Sequence, residues 1–255
     1  MANVIAIATQ KGGVGKTTTT IELATNLKLL GKRVLVVDLD QQGDTTRSVD
    51  ADESAVSIYE ILNVEKEIFD AIQHLEYFDL ICSSRKLTSV DRTFTDRDDI
   101  YLLDEALKDV QNDYDYILVD NNPDLGLLFT MSIVAADYVI IPTECDENSL
   151  NGIRETEAII NKLKSGRNKE SHAEILGYVL TKRENTIIHT MAFEELSNIA
   201  SEKDSNPFVT WITKGVVVSE SKLLHEPVSY TKKGCTQARE YYGTAQEIIR
   251  KVEGR

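Results

Sequence analysis

Cysteine is nearly absent from the chain. The three cysteines in 255 residues, Cys82, Cys145 and Cys235, are odd in number, far apart, and form no C-x-x-C pair. That argues against a disulfide framework or a thiolate zinc site, and a reducing, cytoplasmic setting is expected. Proline and glycine are sparse as well, at 4 and 13. No Pro/Gly-rich linker, repeat or low-complexity tract divides the sequence, so one domain over residues 1–255 is expected. No apolar run approaches the roughly 18 residues of a membrane span. The N-terminus lacks the basic, apolar, small-residue progression of a secretory signal. Basic charge is in deficit: 28 Lys+Arg against 42 Asp+Glu give a net charge of −14. An acidic molecule tends to repel nucleic acid. The deficit is uneven, however. Residues 1–175 carry 17 basic side chains against 32 acidic ones, and residues 176–255 carry 11 against 10. Any face for a polyanion is therefore expected in the last third.

What the chain does have is short apolar runs alternating with helical stretches. The runs at 4–8 (VIAIA), 33–37 (RVLVV), 116–120 (YILVD), 138–142 (YVIIP), 175–180 (ILGYVL) and 208–212 (FVTWI) read as strands buried on both faces. A helix is expected over 17–30, with Ile21, Ala24, Leu27 and Leu30 on one face and Gly31 as its C-terminal cap. Further helices are expected within LGLLFTMSIVAA (125–136), after Asn148 with Leu150, Ile153, Ile160 and Leu163 on one side, and over 237–252. The acidic stretch 44–110 reads as short helices at 56–63 and 101–110 around a strand in FDLICSS (78–84). The fold class this implies is α/β, a mostly parallel twisted sheet with helices on both faces.

The stretch TQKGGVGKTT (9–18) joins the first strand to the first helix. A phosphate-binding loop reads G-x-x-x-x-G-K-[ST]. Its amides cradle phosphates, its lysine reaches the β/γ oxygens and its hydroxyl binds Mg²⁺. Gly15, Lys16 and Thr17 supply the second half, whereas the first glycine position is Gln10. Gly12 and Gly13 still allow close backbone approach, and the helix N-terminus favours an anion. Lys11 is an extra lysine that cannot easily reach the same phosphates from its own chain. Three acids end strands nearby: Asp38, Asp40 and Asp120. Such ends are where ligands bind in sheets of this type.

With these residues in view, KGGVGKT resembles the deviant Walker A signature of the ParA/MinD-type P-loop ATPases. VVDLDQQGD (36–44) resembles that family's D-x-D-P-Q-G-N segment. The stretch from Tyr114 to Ile153 follows its D-x-P-P-S-L-G line, and the segment from Ile212 to its end is similar more loosely. The resemblance implies a P-loop NTPase that uses ATP and Mg²⁺. Lys11, Gly12, Gly13, Val14, Gly15, Lys16, Thr17 and Thr18 would hold ATP. Lys11 would cross a dimer interface to the partner's nucleotide, and Asp40 would orient the attacking water. Thr17 and Asp120 would serve the metal, with Asp38 supporting it. Stretches 181–183 and 213–217 are candidates for the adenine pocket. The sequence departs from the family pattern at Gln41 and Asn122, where prolines are expected, at Asp44 for asparagine, and at Asp124 for serine. These departures bear on hydrolysis and switching more than on nucleotide binding.

Three branches of this family differ in function. An iron protein needs paired interface cysteines, and neither Cys82 nor Cys145 has the surrounding motif. A MinD-like membrane-associated positioning ATPase needs a basic amphipathic C-terminal helix. GTAQEIIRKVEGR dilutes Arg250 and Lys251 with Glu247 and Glu253 and reads better as a helix packed on the core. The remaining branch, plasmid or chromosome partition, fits best. It implies a homodimer on ATP, non-specific DNA binding, nucleoid association when ATP-bound, a ParB-like centromere-binding partner and no membrane. Candidate DNA contacts are Lys182, Arg183, Lys214, Lys222, Lys232, Lys233, Arg239, Arg250 and Lys251, through phosphates and hence salt-sensitive. No aromatic interleaving suggests base stacking. No helix-turn-helix is expected ahead of the first strand, so sequence recognition falls to the partner.

Overall fold

The computed structural model describes residues 1–255 apart from 125, 145–148, 167 and 255, and apart from the side chains of 149 and 150. Cys145, Leu125 and the side chain of Leu150 therefore lie outside the described residues. The strands are β1 (Asn3–Ile7), β2 (Val34–Asp38), β3 (Ile72–His74), β4 (Asp79–Ile81), β5 (Tyr116–Asp120), β6 (Tyr138–Glu144), β7 (Glu174–Arg183) and β8 (Phe208–Thr213). They form one sheet in the order β3-β4-β2-β5-β1-β6-β7-β8. β3 runs antiparallel to β4, and the other pairings among the described residues are parallel. The helices are α1 (Lys16–Leu29), α2 (Asp44–Ser48), α3 (Ile58–Leu62), α4 (Val90–Thr93), α5 (Leu102–Lys108), α6 (Leu127–Ala135), α7 (Ser149–Ser165), α8 (Ile187–Ser201), α9 (Val216–Leu224), α10 (Val228–Thr231) and α11 (Thr236–Glu253).

The pleat explains the layering. Successive side chains of a strand point to opposite faces. Val4 and Ala6 of β1 join Leu35, Val37, Ile117 and Val119 in a core that also takes in Ile58, Leu103, Met131, Ile153, Ile160 and Leu196 from α3 and α5–α8. Ile5 and Ile7 join Val34, Val36 and Leu118 on the other side, against Leu23 and Leu27 of α1 and Tyr241, Ala245 and Ile248 of α11. The central strands are thus apolar through their middles, with polar residues only at their ends, because both faces are covered. α1 stops where expected: Gly31 is left-handed at φ 83°. Gly31 N–H bonds Lys28 O at 2.9 Å and Lys32 N–H bonds Leu27 O at 3.0 Å, a Schellman closure.

Besides the short helices α2, α4 and α10, three elements arise that the sequence does not foreshadow. β3 is three residues long and pairs as an edge strand. α8 buries Leu196 and Ala200 but leaves Ile187, Ile188 and Met191 exposed, so its apolar residues make no single stripe. α9 has no buried residue. Gly177 is fixed by packing: a Cβ there would lie 2.3–2.5 Å from ring carbons of the buried Phe208 on β8. Gly177→Ala is expected to cost about 1–3 kcal/mol of stability through overpacking. Urea denaturation measures this, and an unchanged midpoint would count against the packing described.

Candidate functional site

Because the central strands are parallel, their C-terminal ends share one edge, and the loops carrying the candidate residues meet there. The β1–α1 loop turns through two left-handed glycines, Gly13 (φ 75°) and Gly15 (φ 88°). Gly15 sits at the N-cap of α1 with no side-chain cap bond, which leaves the first-turn amides to meet an anion. Gly12 is exposed and Val14 is buried. Lys16 is 7% exposed, and its Nζ donates to Lys11 O at 3.2 Å. Burial pulls the Lys16 ammonium below its usual range, opposed by the charges of Asp120, Asp40 and Asp124. Lys11 is half-buried, with its Cβ 4.0 Å from the point a Cβ on Gly152 would occupy.

The acids occupy two levels. Asp120 is fully buried beneath the loop. It accepts from Thr17 Oγ1 at 2.9 Å, Thr20 Oγ1 at 3.1 Å and Thr45 Oγ1 at 2.7 Å. Asp38 is equally buried, and both its oxygens are engaged, by Asp40 N–H at 3.1 Å and by Thr46 N–H and Oγ1 at 2.9 and 2.7 Å. Burial is the main force raising both carboxyls above the ordinary range. Asp40 faces the cleft, its Oδ1 accepting from Gln42 N–H at 2.8 Å, and burial raises it too. Two hidden carboxylates beside a cleft acid make a setting that a nearby cation stabilises.

Above these residues lies a cleft of about 610 Å³, lined by Gly12, Gly13, Gly15–Thr18, Asp40, Asn122, Asp124, Lys182 and Lys222 among others. A second cavity of about 500 Å³ shares Gly15, Thr18, Lys182, Val218 and Ser219 with it, and is otherwise walled by Thr181, Ile212, Thr213–Val216 and Tyr241. Both are of a size that small-molecule sites have. Of the stretches 181–183 and 213–217, Thr181, Lys182 and Thr213–Val216 thus come together beside the phosphate loop, whereas Val217 does not line the cavity and Arg183 lies over Trp211, 4.3 Å from its centroid.

Residues 2–175 match the AAA domain family. The sporulation initiation inhibitor protein Soj of Bacillus subtilis is 31% identical over 97% of this chain and 98% of its own. The chromosome partitioning protein ParA of Caulobacter vibrioides is 31% identical over 99% of this chain and 96% of its own. The chain belongs to the ParA/Soj family. Among solved structures, cobyrinic acid a,c-diamide synthase from Mycobacterium smegmatis with bound ADP and magnesium superimposes with a TM-score of 0.81 at 26% identity. That match covers 100% of this chain and 97% of that one.

In this ParA/Soj-family chain, most of the cations expected from sequence as DNA contacts have local partners. Lys182 and Lys214 border the second cavity and are paired with Glu144 and Glu184, each at 2.5 Å. Lys222 lines the phosphate cleft. Lys232 pairs with Glu220 at 2.6 Å and Arg250 with Glu247 at 2.5 Å. Lys251 Nζ donates to Asn206 O. Lys233 lies 5.4 Å from the Tyr230 ring centroid and, with Arg239, borders a separate hollow beside Leu29 and Tyr242. The fold reveals residues that the sequence reading passed over. Thr20 is three positions after Thr17, on the same helix face, so the TTTT run was a usable signal. Thr45, Thr46, Val218 and Ser219 reach the site by long-range packing and carried no local sign.

Proposed function

We propose that this chain is a Mg²⁺-dependent ATPase of the partition type, one catalytic domain over residues 1–255. In this reading it dimerises around ATP, binds DNA without sequence preference and answers to a ParB-like centromere-binding partner in the cytoplasm. The observation that carries the reading is the cleft in which Lys16, Thr17 and Asp40 meet, with Asp120 bonded to the Thr17 hydroxyl from below. ATP spanning both cavities would place its phosphates over the loop amides of Gly12–Thr18 and its base between Thr181 and Thr213–Val216. Lys16 neutralises the β/γ phosphates.

The donor set fits magnesium. A hydroxyl and carboxylates are hard oxygen donors, and among the described residues no group of three or more His, Cys, Asp or Glu could cage a metal. Mg²⁺ is typically held by one or two carboxylates plus substrate phosphates. When bound, it offsets charge developing on the transferred phosphoryl group. Thr17 would contact it directly, and Asp120 would orient the Thr17 hydroxyl. Asp38 has both oxygens taken by Asp40 N–H and Thr46, so we assign it to positioning the Asp40 loop and α2 rather than to the metal. Asp40 remains in the cleft to orient water.

The membrane-associated alternative is less well supported. Tyr241, Ala245 and Ile248 of α11 are in the core, and Glu253 ties the helix end to Lys32 at 2.5 Å and Tyr116 at 2.9 Å. No described helix is long and apolar enough to cross a membrane.

Lys11 provides the test of the dimer. Lys11→Ala is expected to keep monomeric Mg·ATP affinity within about threefold, since the lost contact lies in the partner's site. It should abolish the ATP-dependent doubling of mass in light scattering. A variant that still dimerises on ATP would refute the crossing role.

A further inference from the structure

Lys182 breaks the alternation of its strand. Thr181 on β7 donates from Oγ1 to Val14 O at 2.7 Å and to Thr143 O at 3.1 Å. Its side chain therefore faces the phosphate loop, and the next one along a regular strand would face away. Instead Lys182 Nζ donates to the adjacent loop carbonyl, Gly13 O, at 2.8 Å. Two features turn it. Lys182 is left-handed at φ 54°, and the β7–β8 register shifts between Leu180 and Arg183. Such irregularities re-aim side chains and collect beside functional sites. A lysine held in an unfavourable backbone conformation calls for a compensating role.

Its position suggests that role. Lys182 borders both the phosphate cleft and the second cavity, with Gly15, Thr18, Val218 and Ser219. Among the described residues it is the one cation at the junction that a molecule spanning the two would cross. Its ammonium is bonded to Gly13 O and to Glu144 Oε1 at 2.5 Å, with the side chain 51% exposed. An ammonium has three N–H donors, and these two acceptors leave one for an incoming anion. Its neighbours along the loop are the backbone atoms of Gly13 and Val14, beside the glycines that would admit a phosphate chain.

We propose that Lys182 is a polyphosphate-contacting residue of the nucleotide site, a cation supplied by β7 of the same chain, rather than part of a DNA surface. This rests on the nucleotide reading above. The contact is to phosphate, so its contribution should follow the number of phosphates on the ligand and vanish without them.

Calorimetric titration of adenosine, Mg·ADP and Mg·ATP into wild-type, Lys182→Met and Lys182→Arg proteins tests this. Lys182→Met is expected to bind ADP and ATP roughly tenfold more weakly, the scale of one charge-assisted hydrogen bond. Adenosine affinity and melting temperature should be unchanged. Lys182→Arg, which keeps the charge, should recover all but about threefold of the loss. Wild-type affinity for ADP and ATP in the methionine variant would overturn the proposal. So would an equal loss for adenosine, which would make Lys182 a support for the loop instead. If the methionine variant does not fold, Lys182→Gln gives the same comparison. A wild-type protein that binds neither ADP nor ATP would overturn the nucleotide reading along with this one.

Discussion

Lys16→Ala removes measurable ATP turnover and weakens Mg·ATP binding by about a hundredfold or more. Lys16 is the buried cation of the phosphate loop, with its ammonium held against Lys11 O at 3.2 Å and the charges of Asp120, Asp40 and Asp124 around it. Truncating one partner of a buried, hydrogen-bonded charge pair costs roughly 2–5 kcal/mol, which is about 30-fold to several thousandfold. The loss has a second source. Without the ammonium, the acids of the site face the phosphates uncompensated, so repulsion adds to the missing attraction. The effect should be much smaller for adenosine. Titration calorimetry with a phosphate-release assay measures both. Turnover within tenfold of wild type in Lys16→Ala would place the chemistry elsewhere.

Asp40→Ala is expected to slow hydrolysis by about a hundredfold to ten-thousandfold, the range that a positioned acid–base group contributes, while leaving Mg·ATP affinity within a few fold. Asp40 lines the cleft, whereas Asp38 and Asp120 lie under it with their oxygens committed to Thr46, Thr45, Thr20 and Thr17. That separation of levels is why Asp40 is assigned to the water and the buried pair to the scaffold. The substitution also removes the bond to Gln42 N–H, worth about 1 kcal/mol, too little to unfold the loop. Single-turnover kinetics with prebound ATP isolates the chemical step. A rate near wild type there would remove Asp40 from the reaction.

The two halves of the site differed in how far the sequence disclosed them. The β1–loop–α1–β2 unit was readable because its signals are local: an apolar run, Gly-Lys-Thr at a helix start, and Gly31 at the helix end. Asp38 and Asp120 were readable because each ends an apolar run that fixes where a strand stops, and Asp40 through the resemblance of VVDLDQQGD to the family segment. Thr45 and Thr46 were not, since their value comes from α2 folding back over the ends of β2 and β5. α9 was not readable as part of the cleft. Its Val216, Val218 and Ser219 line the cavities while Leu223 and Leu224 are exposed, and none of its residues is buried, so it has no core-facing stripe. For the basic residues of the last third, the sequence was silent about local partners. Counting charges could not reveal that Lys182 and Lys214 border the second cavity and pair with Glu144 and Glu184.

The central claim is that ATP, not ADP, assembles a dimer able to hold DNA. The most direct measurement uses the Asp40→Ala protein, in which ATP persists. Its mass is recorded by light scattering with Mg·ATP and with Mg·ADP, and binding to unrelated DNA duplexes is followed across a salt series. The account predicts a monomer with ADP and a dimer with ATP. DNA binding should appear with the dimer alone, be indifferent to sequence and fall steeply as salt rises. An ATP-bound protein that stays monomeric, or a dimer that ignores DNA at low salt, would contradict it.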